Sequence, residues 1–251
     1  MNDLFDLTGK VAIVTGVGSG IGRQMAHGLA EAGAELALCS RKVERCEEAA
    51  AKLPTRALAL PCDVRDQDSV KAMVARVVHE FGRVDILVNN AGTVWGAAPE
   101  DVPLEGWQKV VDVNLTGVFL CSQAAGRAMI DRGEGGKIIS VASVAGLHGA
   151  PAEVVNALPY HATKGGVIAF TRDLAWKWAR HRINVNAIAP GWFPSDMANF
   201  VLDRNPDLAE RIPLGRFGGP DDLKGAVVFL ASRASDYVTG HTLVVDGGQS
   251  A

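Results

Sequence analysis

Tyr160 and Lys164 stand four residues apart in the run Tyr160-His161-Ala162-Thr163-Lys164, a phenol and an ammonium that together can move a proton. If the run is helical, residues four apart share a face with Cβ atoms about 5–6 Å apart, which brings the lysine charge beside the hydroxyl. A free tyrosine titrates near ~10, too high for general-base work at neutral pH. A cation about 5 Å away in an effective dielectric of ~20 favours the phenolate by about 3 kcal/mol, a shift of about two units. Upstream lies Thr15-Gly16-Val17-Gly18-Ser19-Gly20-Ile21-Gly22, with glycine at alternate positions. Glycine lets backbone amides close on a phosphate and accepts the positive φ of a tight turn, and a helix N-terminus behind it favours the anion. A proton-moving phenol and a phosphate cradle in one chain point to hydride transfer at a carbon–oxygen bond. A tyrosine–lysine pair by itself is unspecific, so its neighbours must decide.

The scaffold that would position these groups is legible as alternation. Short β-branched runs at Lys10–Thr15, Glu35–Cys39, Arg56–Leu60, Val84–Asn89, Lys137–Val141, Arg182–Ile188 and Thr242–Val245 read as strands. Between them, Ile21–Ala32, Val43–Leu53, Asp66–Phe81, Leu104–Arg132 with a break near Asn114, and Pro159–His181 read as helices. Asp66 is placed as an N-cap, Gly82 as a C-cap, and Pro220 at the first position of a helix running to Leu230. The pattern implies an α/β fold, a parallel sheet with helices on both faces. Val144–Leu158 and Pro190–Gly219 read as loops over a site. No linker or internal repeat divides the chain, which predicts one dinucleotide-binding and catalytic domain over residues 1–251.

With 48% apolar and 21% charged residues, the 251-residue chain has ample core. A formal charge of -3 argues against nucleic acid or an anionic membrane as partner. No apolar run is long enough to span a bilayer, and Cys39, Cys46, Cys62 and Cys121 lack metal-ligand spacing, so a cytoplasmic protein with reduced thiols and no metal is expected.

The strand, glycine turn and helix come in the required order, although the spacing is not the simple G-x-G-x-x-G form. Thr15 to Gly22, Asp63-Val64, Asn89-Asn90-Ala91-Gly92, Asn114, Ser143, Tyr160/Lys164, Pro190-Gly191 and Val245-Asp246-Gly247-Gly248 together resemble the compact, single-domain branch of the short-chain dehydrogenase/reductase family, over nearly the whole length. The resemblance implies a Rossmann-like, doubly wound sheet of seven parallel strands, a nicotinamide cofactor, and oxidoreduction of an alcohol or carbonyl. It implies a cofactor cradle of Gly16, Ser19, Gly20, Ile21 and Gly22, an adenine contact at Asp63 and Val64, and a groove lined by Asn90, Ala91 and Gly92. Pro190, Gly191, Phe193 and Ser195 would flank the nicotinamide and phosphates. Ser143 would bond the substrate oxygen, Tyr160 carry the proton, Lys164 hold the cofactor ribose and lower the tyrosine pKa, and Asn114 position a water behind the lysine. The plainer readings of Ser143 as a helix cap and Asn114 as a helix break stand beside these.

An acidic residue at the end of the second strand would select NAD by its ribose hydroxyl, whereas arginine pairs with the extra phosphate of NADP. The chain has Ser40-Arg41 there, which predicts NADP(H), although Ser19 lacks the second basic residue of some NADP-dependent relatives. His161 faces away from Tyr160 on a helix and is read as packing or surface. Seventeen positions separate Ser143 from Tyr160, more than is usual in the family, so His148–Leu158 is expected to form part of the substrate wall. Trp95, Leu147, Val155, Trp192, Phe193, Met197 and Phe200 are further wall candidates, each of which is equally a core residue by type. That apolar set favours a 3-oxoacyl thioester or another hydrophobic ketone. The alternatives are a gluconate-type sugar or polyol dehydrogenase, and a non-catalytic NADP-sensing protein. Apolar or small residues on several faces of the helices around Leu115–Arg132 and Pro159–His181 predict a homotetramer.

Overall fold

The computed structural model describes residues 3–18 and 20–251. The strands β1 (Val11–Thr15), β2 (Glu35–Ser40), β3 (Ala57–Pro61), β4 (Ile86–Asn89), β5 (Gly136–Val141), β6 (Ile183–Pro190) and β7 (Thr242–Val245) form one sheet in the order β3-β2-β1-β4-β5-β6-β7. Every pairing is parallel. Parallel strands need crossovers, and helices supply them: α1 (Ile21–Glu31), α2 (Val43–Ala50), α3 (Gln67–Phe81), α4 (Leu104–Val111), α5 (Gly117–Arg132), α6 (Leu158–Trp178), α7 (Asn199–Leu202) and α8 (Lys224–Ala231).

Both faces of the sheet are covered, so its central strands are apolar on both sides. Ala12 and Val14 of β1 pack in one cluster with Met25 and Leu29 of α1 and Val227 and Leu230 of α8. Val11 and Ile13 alternate to the other side, against Met73 and Val77 of α3 and Ala125 and Met129 of α5. Each such side chain taken fully out of water contributes about 1.5–3 kcal/mol.

The expected elements are all found, with differences at ends and joints. Asp66 is the N-cap of α3, its carboxylate accepting from Asp68 N at 2.9 Å and Ser69 N at 3.4 Å. Gly82 closes α3 at φ 76, where glycine carries no Cβ penalty. The helix expected to break near Asn114 does not break: Asp112–Thr116 is a π turn that joins α4 to α5, with Gly117 N bonded to Asp112 O. Pro220 does not start a helix. The Asp222 carboxylate holds Gly219 N at 2.7 Å and pairs with Arg216, which keeps residues 220–223 in turns, and α8 begins at Lys224.

The α3 cap makes a simple test of this account. Asp66→Ala leaves two first-turn amides without their acceptor and should cost about 1 kcal/mol in urea unfolding; an unchanged midpoint would show the cap to be idle.

Candidate active site

The sheet reverses its winding between β1 and β4, and a crevice opens there at the carboxyl ends of the strands. Thr15, the last residue of β1, spans it: its Oγ1 accepts from Asn90 N and Ala91 N, both at 3.1 Å. Asn90 Nδ2 returns the contact, donating to Thr15 O at 2.9 Å and Gly16 O at 3.0 Å. The glycines are needed because these loops touch. A Cβ on Gly16, at φ 72, would stand 2.6 Å from Ala91 Cα, and one on Gly22 would stand 2.4 Å from Asn90 Nδ2. Gly20, at φ 67, lies under Ser195, whose Cβ would be 2.9 Å from an added methyl. Gly20 caps α1 without a side-chain hydrogen bond, so among the described residues the first-turn amides at Ile21 and Gly22 have no side-chain acceptor. Aligned amides behind a bare-backbone loop fit a pyrophosphate. Ser19 lies outside the described residues.

On the other side of the crevice the four reactive candidates converge. Ser143 follows β5 in extended backbone, its Oγ accepting from Ala145 N at 3.1 Å, and it hydrogen-bonds the Tyr160 hydroxyl. Burial raises the Tyr160 phenol above its ordinary value, and the Ser143 bond opposes that rise. Lys164 is 4% exposed and donates from Nζ to Val141 O at 2.7 Å. Its Nζ lies 5.4 Å from the Tyr160 ring centroid, and burial lowers its pKa to about 8. The expected lowering of the tyrosine by the lysine is therefore not found. The ammonium keeps its charge while it donates to a carbonyl, and desolvation sets the direction of the phenol's shift. Asn114, fully buried in the π turn, accepts from Thr93 N at 2.8 Å and donates to Thr93 O at 2.9 Å and Thr163 Oγ1 at 3.2 Å. Thr163 Oγ1 donates in turn to Tyr160 O at 2.9 Å, so Asn114 and Tyr160 belong to one polar chain.

The remaining candidates divide. Ser40 Oγ is committed to Lys42 O at 2.7 Å, and Arg41 beside it is exposed. Arg65 grips the Asp63 carboxylate at 2.6 Å and holds its pKa low, while Val64 packs on Gly117. Met197 Cε would come within 3.9 Å of a Cβ on Gly92, which puts it over the groove. Trp95, by contrast, lies against α4, with Gly106 under its ring and Lys109 Nζ at 5.3 Å. Trp192, with Phe193, lines a cavity of about 120 Å³ beside Val245, Asp246 and Gly218, and its buried Nε1 has no partner among the described residues. Gly191 packs on Asp246, Pro190 ends β6, and Leu147 is part-exposed in the turn after Ser143. Val155 is half-buried in the 148–158 loop, whose Asn156 O accepts from Ala97 N at 3.1 Å and so ties that loop to the Trp95 segment. His161 Nδ1 lies 3.0 Å from Ala157 O, a packing role as expected.

The profile of a protein family described as enoyl-(acyl carrier protein) reductase matches residues 16–250. A 2-dehydro-3-deoxy-D-gluconate 5-dehydrogenase of Escherichia coli (strain K12) is 43% identical over 249 residues, covering 97% of this chain and 96% of that one. A short-chain type dehydrogenase/reductase from Mycobacterium marinum superposes with a TM-score of 0.95 at 41% identity, over 99% of this chain and 98% of the other. The chain belongs to the short-chain dehydrogenase/reductase family. It is an oxidoreductase of CH–OH and C=O groups that uses a nicotinamide cofactor. A gluconate 5-dehydrogenase from Burkholderia cenocepacia, solved with NADP and tartrate, has a TM-score of 0.91 and 39% identity over 99% of this chain and 98% of that one.

These relatives overturn the expected 3-oxoacyl thioester, since full-length curated relatives at 40–43% identity are named for gluconate-type sugar acids. The structure supplies part of the reason: Trp95, one of the residues that argued for an apolar wall, is packed on Gly106 of α4 with Lys109 over its ring. Several residues of this short-chain dehydrogenase/reductase site were given no role in the sequence. Thr15 and Thr163 stand there only as members of their runs and Thr93 not at all, and their buried contacts single them out; the Val141 carbonyl carries no sequence signal.

If the cradle depends on bare backbone, Gly16→Ala should weaken nicotinamide dinucleotide binding by tenfold or more, about 1.4 kcal/mol or above. Fluorescence titration with the cofactor measures it, and binding within twofold of the parent would show that the loop adapts.

Proposed function

We propose that this protein is an NADP(H)-preferring dehydrogenase of a gluconate-type sugar acid, interconverting a secondary alcohol and a ketone. The observation that carries the reading is the 43% identity, over 97% of the chain, to a 2-dehydro-3-deoxy-D-gluconate 5-dehydrogenase. The 148–158 loop supports it with His148, Glu153 and Asn156, side chains suited to hydroxyls and a carboxylate. Arg41 after Ser40 supports NADP(H), as does the NADP in the Burkholderia cenocepacia relative.

Asn114, Ser143, Tyr160 and Lys164 are read as the reacting set. The bound nicotinamide supplies the hydride acceptor or donor. In oxidation Tyr160 takes the hydroxyl proton, and in reduction it returns it; Ser143 donates a hydrogen bond to the same substrate oxygen. The Lys164 ammonium, held by Val141 O, supplies positive charge beside the phenol, and Asn114 fixes the first turns of α6 through Thr163. Gly16, Gly20, Ile21, Gly22 and Asn90 to Gly92 hold the dinucleotide, and Pro190, Gly191, Phe193 and Ser195 close on it. Ser19, Asp63 and Val64 keep the assignments that the family resemblance implies.

Residues 1–251 are read as one domain, since all seven strands share a sheet. A homotetramer is supported by Phe119 on α5, 44% exposed, and Trp176 on α6, 88% exposed. Part of the expected surplus is covered within the chain, where Trp178 lies on Gly126 and Leu115 on Gly166. The four cysteines are free and buried, which supports a reducing, cytoplasmic setting.

Spectrophotometric assay of the purified protein with gluconate, 2-dehydro-3-deoxygluconate, a polyol and a 3-oxoacyl thioester, each with both cofactors, tests the reading. A sugar acid with the 2′-phosphorylated cofactor should exceed the thioester in kcat/KM by about a hundredfold or more; the reverse order would sink it. Tyr160→Phe should abolish turnover and leave cofactor binding in place, and turnover surviving it would remove Tyr160 from the proton-transfer role.

A further inference from the structure

A second arginine lies over the glycine loop, close to the end of β2. Arg45 projects from the first turn of α2 across the glycine loop: a Cβ on Gly18 would lie 3.5 Å from its Cδ and 3.9 Å from its Nη1. That Nη1 reaches Asp196 Oδ2 at 3.4 Å, on the segment between β6 and α7 whose Ser195 lies over Gly20. Arg23 steadies the arrangement, donating to Val17 O at 3.3 Å and Arg45 O at 3.2 Å while pairing with Glu48 at 3.5 Å. One guanidinium thus joins the edge of the adenosine site, the phosphate cradle and the segment that covers it.

The Ser40 hydroxyl, at the end of β2 where the ribose is read, is not free for a phosphate. It donates to Lys42 O at 2.7 Å and accepts from Cys46 Sγ at 3.2 Å. Recognition of a 2′-phosphate then falls to cations, and Arg41, in the bend after β2, is followed four residues on by Arg45 in the first turn of α2. We propose that Arg45 is a specificity-determining residue that exchanges the Asp196 carboxylate for the 2′-phosphate of the adenosine, so that the same charge reads the cofactor and sets the position of the 191–198 segment. The inference rests on the NADP(H) reading.

The exchange is chemically favourable in direction. Both members of the Arg45–Asp196 pair are largely solvated, with side chains 47% and 70% exposed, and ion pairs of that kind are weak. A phosphomonoester carries nearly two charges at neutral pH and matches the guanidinium fork with two oxygens. Asp196 is then a competitor, and its removal should strengthen phosphate binding.

Calorimetric binding of 2′,5′-ADP and of 5′-AMP isolates the phosphate from turnover. Arg45→Gln should weaken 2′,5′-ADP by about tenfold and leave 5′-AMP unchanged, the loss expected for one charge-assisted hydrogen bond. Asp196→Asn should tighten 2′,5′-ADP by about two- to fivefold, again without effect on 5′-AMP, as expected for release from a weak ion pair. Arg45→Gln binding 2′,5′-ADP within twofold of the parent, an equal loss for both nucleotides, or no gain in Asp196→Asn would overturn the exchange. If Arg41→Asp alone then abolished the preference for 2′,5′-ADP, the NADP(H) reading would stand without Arg45. A parent protein that bound both nucleotides alike would overturn both.

Discussion

Two adjacent parallel strands, β1 and β4, send their crossovers to opposite sides of the sheet, and no loop can then cover the gap between their ends. In this chain the gap is bridged by four hydrogen bonds between Thr15, Gly16, Asn90 and Ala91, through one hydroxyl and one amide group. The contact is so close that neither Gly16 nor Gly22 tolerates a Cβ, and this closeness leaves bare backbone at the start of α1. The cofactor cradle is therefore a consequence of how the two strand ends are tied. Everything beyond it takes its position from that junction: Gly92 follows Asn90, Asn114 bonds Thr93 next to Gly92, and Thr163 carries the connection to Tyr160.

The chemistry depends on what burial does to two titratable groups. Removing Tyr160 from water favours the neutral phenol, and removing Lys164 from water favours the neutral amine, its pKa falling to about 8. At neutral pH the lysine stays mostly charged because that value remains above 7, and the Val141 carbonyl holds it. The protein thus keeps a protonated, half-buried phenol and a buried positive charge in one site. Such a pair is suited to release or accept a proton when a further positive charge arrives beside it, and to hold the proton otherwise.

Much of this was legible in the sequence because it rests on period and on obligatory residue types. The alternation of strands and helices, the Asp66 and Gly82 caps and the glycine run each follow from local rules, and the structure has them in place. The tyrosine–lysine spacing also survived, since α6 begins one residue before Pro159 and carries both. What was not legible depends on tertiary contact. The π turn at Asp112–Thr116 has no composition signal, and the sequence suggested only a break. Trp95 looks like a pocket residue until α4 is seen beside it, whereas Trp192 does line a cavity, beside the end of β7. The substrate class failed for that reason: side-chain type told which residues were large and apolar, and their direction was decided by neighbours far away in the chain.

Burial keeps the Tyr160 proton in place until a charged nicotinamide lowers the phenol. The chain has two tyrosines, and Tyr237 is fully exposed, so Tyr237→Phe leaves a single phenol to observe. Ultraviolet titration of that variant near neutral and alkaline pH reads Tyr160 alone. Tyr160 should ionise above the ordinary value of about 10 in the free protein and shift downward on saturation with oxidised NADP. Ionisation at or below about 10 in the free protein, or none of that shift with the oxidised cofactor, would contradict it.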